Sequence, residues 1–114
     1  MTETLWGMDI TGRWRARVGR PGGDAVSELD FADDGTATLL GGGTGSGTWT
    51  ATGPGTFSYR ITEEMAEPPG TVEIAQDAVL SGDAFVSTGI TTVRRADGST
   101  IRTAHVRITA IRRT

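Results

Sequence analysis

The stretch that most constrains this chain is residues 47–61, GTWTATGPGTFSYRI, in which polarity alternates one residue at a time. Trp49, Ala51, Phe57, Tyr59 and Ile61 share one face, and Thr48, Thr50, Thr52, Ser58 and Arg60 share the other. A period of two is that of a half-buried strand. The Gly53-Pro54-Gly55 step in the middle reads as a turn. Folding back there sets Trp49 beside Tyr59 and Ala51 beside Phe57, and an aromatic pair of this kind contributes roughly 0.2–1 kcal/mol to a sheet.

The same alternation recurs along the chain. Strand one, residues 12–18, turns Trp14, Ala16 and Val18 one way and Arg13, Arg15 and Arg17 the other. Strand two, residues 24–31, places Ala25, Ser27, Leu29 and Phe31 inside and Glu28 and Asp30 outside. A hairpin around Pro21-Gly22 then sets Arg15 opposite Glu28 and Arg13 opposite Asp30, so both faces agree on one register. This arginine row reads as a solvated, ion-paired wall rather than a nucleic-acid patch. Strand three covers 36–40, and the glycine-rich 41–47 (GGGTGSG) reads as a strand connection, since no Lys-Ser/Thr ending or helix follows it. Residues 63–70 (EEMAEPPG) form the longest connection, with Met65 over the opening. Strands six, seven and eight cover 71–80, 84–93 and 100–112. Their inner faces carry Val72, Ile74, Gln76, Ala78 and Leu80; then Phe85, Ser87, Gly89, Thr91 and Val93; then Arg102, Ala104, Val106, Ile108 and Ala110.

Eight strands joined in sequence predict an all-β, antiparallel up-and-down barrel, because closure removes the exposed edges of a long meander. Eight strands leave an interior that side chains fill or that holds one small ligand. The expected organisation is an N-terminal segment, 1–11, packing across one barrel end, and a single barrel domain, 12–114. The short turns at 33–35, 53–55 and 81–83 fall at one end and the longer connections at the other, where ligand sites commonly lie.

Composition limits the functional classes. The chain carries 14 acidic residues and 11 basic ones, all Arg, for a net charge of −3, so bulk charge gives no pull toward nucleic acid. No apolar run approaches the roughly 20 residues of a spanning helix, and no signal peptide is evident in MTETLWGMDI. The absence of Cys removes disulfides and thiolate metal sites and fits a cytoplasmic setting. The Gly-, Thr-, Ala- and Arg-rich usage reads as that of a high-GC, actinobacterial genome. The single histidine, His105, alternates with Ala104 and Val106 and is expected to point outward. No cofactor and no metal site is expected.

Gly12-Arg13-Trp14 resembles the Gly-x-Trp start of the lipocalins and other calycins, and the same spacing recurs at Gly47-Thr48-Trp49. The resemblance implies that Trp14 packs at the closed end under an arginine of the last strand, here Arg112. In length the chain is closer to the avidins. It is also similar in size, composition and strand pattern to the small β-barrel polyketide cyclases of Diels–Alderase type.

The candidate site is therefore the barrel interior. Trp49, Phe57 and Phe85 are expected as an aromatic wall, with Met65, Ser87 and Arg102 as further ligand-binding groups. Tyr59 and Gln76 are the candidate catalytic residues, placed to stabilise charge on a carbonyl of a folded substrate. The function this suggests is ring closure of a polyketide-like molecule; the alternatives are a carrier of a small hydrophobic ligand and a filled structural barrel. Val86, Ile90, Ile101 and Ile111 are expected outside on strands seven and eight, as a homodimer surface.

Overall fold

The computed structural model describes residues 10–19, 22–40 and 44–113. Eight antiparallel strands form a closed barrel in sequence order: β1 (Gly12–Gly19), β2 (Ala25–Phe31), β3 (Thr36–Leu40), β4 (Gly45–Gly53), β5 (Thr56–Met65), β6 (Gly70–Ser81), β7 (Ala84–Arg95) and β8 (Thr100–Arg112). Closure is made by β1, which pairs with β2 on one side and with β8 on the other. None of the described residues forms a helix, so no helix long and apolar enough to cross a membrane is present among them.

The registers follow the sequence pattern. Arg13 faces Asp30 and Arg15 faces Glu28 across β1–β2, and Trp49 faces Tyr59 and Ala51 faces Phe57 across β4–β5. The ion pairs on the outer wall are partly different from the cross-strand pairs. Arg13 reaches Asp30 at 3.9 Å, but Glu28 is taken by Arg113 at 2.6 Å rather than by Arg15. All are largely solvated and contribute little.

Three expectations need correction. Residues 63–70 are not a long connection. β5 runs to Met65 and β6 starts at Gly70, because Glu63 pairs with Val72, Glu64 with Thr71 and Met65 with Gly70 before a four-residue turn. Met65 is thus a strand residue, half-buried at the inner rim, rather than a loop residue above it. β4 likewise begins at Gly45, inside the expected glycine-rich connection. Finally, a β-bulge separates the pairs Val93–Arg102 and Arg94–Thr100, leaving Ile101 without a partner of its own. An extra residue breaks the in–out alternation. Ile101 is half-buried against the barrel mouth instead of lying on the outer face.

The lower half of the barrel is solid. Phe31 is its centre, with ring centroids 5.3 Å from Tyr59, 5.6 Å from Phe57, 6.1 Å from Phe85 and 6.5 Å from Trp49. Small neighbours at Ala37, Ala78 and Ala110 make room for these rings, an alternation of large and small that fits a barrel taper. At the closed end Trp14 is fully buried, its Nε1–H donates to the Ile10 carbonyl at 2.9 Å, and Phe85 meets it edge-on at 5.0 Å. The Arg112 guanidinium lies 4.4 Å above the Trp14 ring, and Arg112 Nη1 donates to the Thr11 carbonyl. Of the N-terminal segment 1–11, only Ile10, which is buried here, and Thr11 fall within the described residues.

The walls are uneven in height. β1 meets β8 only from Trp14–Arg112 to Gly19–Arg107, whereas β7 stays paired to β8 up to Arg94–Thr100. The β5–β8 half therefore rises above the β1–β4 half and forms a tall back wall to the mouth.

Candidate functional site

Above the aromatic layer the barrel is hollow. A cavity of about 660 Å³ opens at the end that carries the β1–β2, β3–β4, β5–β6 and β7–β8 connections. That volume lies within the roughly 300–1,000 Å³ of small-molecule pockets. Tyr59 forms part of its floor, and Leu29, Leu39, Ile61, Ile74, Val106 and Ile108 form its apolar wall. The inward aromatic rings stop at the level of Tyr59; in the rows above it β7 offers Thr91 and Val93 and β8 offers Ala104. The hollow follows from this loss of side-chain volume.

The floor is backed by a buried hydrogen-bond relay. The Tyr59 hydroxyl lies 2.8 Å from Ser87 Oγ, Ser87 Oγ donates to Gln76 Oε1 at 2.7 Å, and Gln76 Nε2 donates to the Val106 carbonyl at 3.2 Å. Ser87 has one proton and gives it to Gln76, so Tyr59 is the donor to Ser87. Among the described residues no buried side-chain polar atom lacks a partner. Burial pushes the Tyr59 phenol well above its ordinary range, so it stays neutral. Gly89 faces both Gln76 and Val106, and its missing side chain lets Gln76 cross to β8. Gln76→Leu leaves the Ser87 hydroxyl without its acceptor, and is expected to cost about 1–2 kcal/mol in chemical denaturation. Adding Ser87→Ala should recover part of that loss, a coupling that a double-mutant cycle reads directly.

The sequence-derived site residues divide into three groups. Tyr59, Met65 and Arg102 line the cavity. Gln76 and Ser87 are buried behind the floor, joined to Tyr59 by the relay. Trp49, Phe57 and Phe85 belong to the solid half below: Phe57 and Phe85 are buried in the ring cluster, and Trp49 Nε1 donates to the Ala32 carbonyl at 2.7 Å, tying down the β2–β3 turn. Arg102 sits opposite Val93, as the register requires, but is exposed at the rim rather than held inside.

Sequence reasoning passed over Glu63 and Arg95 and placed Thr91 on an inner face without making it a site residue; all three line the cavity. The signal for Glu63 was its parity with Phe57, Tyr59 and Ile61, hidden by assigning it to a loop. It is the one carboxylate in the lining among the described residues, and burial raises its carboxyl above the ordinary range. A raised folded-state value means that the folded protein keeps a proton the unfolded chain has lost. Stability from this group is therefore full below the ordinary glutamate range and falls as pH rises through the raised value. Glu63→Gln should raise the melting temperature at neutral pH, with the gain vanishing in acid below that range.

The outer face of β6–β8 exposes Val79, Val86, Ile90 and Ile111. His105 is exposed on the same face, opposite Ile90. No protein-family model, no curated protein and no solved structure gives a significant match to this chain.

Proposed function

We propose that this barrel binds one small, largely apolar molecule in the cavity at its open end. The observation that carries the reading is the hollow itself: about 660 Å³ of mostly apolar interior above a floor whose polar groups are already satisfied. A relay in which Tyr59 gives its proton to Ser87 and Gln76 accepts from Ser87 supports holding a ligand more than polarising one. The arginine over Trp14, below the Gly12-Arg13-Trp14 start, is the arrangement that the calycin resemblance implied, and it supports a calycin-like barrel. The lack of Cys supports a cytoplasmic setting. The apolar outer stripe of Val86, Ile90 and Ile111 supports a homodimer through β7 and β8.

A second reading is ring closure of a flexible, polyketide-like substrate. Glu63 favours it, since a carboxyl that burial keeps protonated to higher pH can donate to a carbonyl in an enclosed site. Nile red titration tests the first reading. Saturable one-to-one binding, lost when Ala104→Trp fills the cavity, is expected. Fluorescence that never saturates, or is indifferent to Ala104→Trp, would count against it.

A further inference from the structure

The charges at the cavity mouth are sorted by wall. Arg95 and Arg102 both line it on the tall β7–β8 side. Arg102 is the cross-strand partner of Val93, and Arg95 lies two residues beyond Val93 on β7, so both stand on the same side of the mouth. Arg13, Arg17, Arg94, Arg112 and Arg113 each have a carboxylate within 4.0 Å, and among the described residues neither Arg95 nor Arg102 does. The nearest compensation is the field of Arg95 on Asp97 in the β7–β8 turn. Facing them, Glu63 on β5 lies in the row Gly45–Glu63–Val72–Val93–Arg102, level with Arg102 and three strands away.

Two guanidinium groups without a carboxylate partner among the described residues thus stand beside an apolar hollow. A guanidinium is weakly hydrated, permanently charged and forked, which suits a carboxylate, sulfonate or phosphate oxygen pair. We infer that the ligand is an amphiphile with a single anionic head, its apolar body seated between Ile61, Ile74 and Ile108 and its head at the rim on Arg95 and Arg102. The bulge at Val93–Arg94 adds to this, since it turns Ile101 toward the mouth as well and sets an apolar side chain next to Arg102 at the rim.

This inference rests on the binding function proposed above, and the test separates the two. Decanesulfonate, decanol and decyltrimethylammonium share one apolar chain and differ only in head charge. Each is titrated against Nile red-loaded protein below its micelle concentration at low salt. Decanesulfonate should bind about tenfold more tightly than decanol, since charge-assisted hydrogen bonds are roughly twice as strong as neutral ones. In the Arg95→Gln/Arg102→Gln double variant the sulfonate-to-alcohol ratio should fall to about one. Equal affinity for sulfonate and alcohol, a ratio that survives the double variant, or preference for the ammonium would overturn the anionic head while leaving the cavity in place. Failure of all three compounds to displace the dye would overturn the binding function itself, and the inference with it.

Discussion

Replacing Trp14 with alanine is expected to cost about 3–5 kcal/mol, the range for removing a large ring from a packed interior. Trp14 has no exposed surface, and it joins three things at once: the Ile10 carbonyl, the edge of Phe85 and the underside of Arg112. It is also the residue of β1 that pairs with Arg112 of β8, so its loss opens a void where the barrel closes. Urea titration should show a lower midpoint, and a melting temperature lower by on the order of 15 °C. Trp14→Phe keeps most of the buried area but not the hydrogen bond to Ile10, and should cost much less. Arg112→Met should cost about 1–2 kcal/mol, as a partly desolvated cation–π contact and its hydrogen bonds are lost together. A loss below about 1 kcal/mol for Trp14→Ala would mean that the closed end does not hold the barrel together.

The second large effect is expected at Gly89. A methyl group there would fall on the backbone carbonyl of Ala75, which is a fixed partner rather than the end of a flexible side chain. β6 and β7 would have to separate at the level of Gln76, where the side chain crosses to the Val106 carbonyl. Gly89→Ala should cost about 2–3 kcal/mol, in the upper part of the range for forcing extra atoms into a packed interior. It should also loosen the relay, seen as faster amide exchange along β6 and β7. The comparison is Gly98→Ala, where open space surrounds the site but φ is +89°, so only backbone strain is added. If Gly89→Ala were the milder of the two, the close approach of β6 and β7 would not be a feature of the folded protein.

The fold was legible because its signal is local and repeated. Period-two alternation in eight segments, with turn residues between them, specifies which face is inside, and facing Arg–Asp and Trp–Tyr pairs specify register. The site was legible only where that parity held. Tyr59, Gln76 and Ser87 come together because they sit on inner faces of consecutive strands. Where the interior is solid and where it is hollow depends on how side-chain volumes from eight strands add at each level, and no single strand carries that information. Trp49, Phe57 and Phe85 therefore looked like a ligand-facing wall and are instead the fill of the lower half. Ile101 was misplaced for a different reason: a bulge shifts parity without any glycine or proline to announce it.

The claim on which the functional reading depends is that the half of the barrel above Tyr59 is empty and reachable. Nuclear magnetic resonance of isotope-labelled protein with unlabelled decanol tests it most directly. Intermolecular contacts are expected to the methyl groups of Ile61, Ile74, Val93 and Ile108, which line the cavity, and not to Val79 or Ile111 on the outer face. Contacts confined to the outer face, or none at saturating decanol, would contradict a hollow barrel.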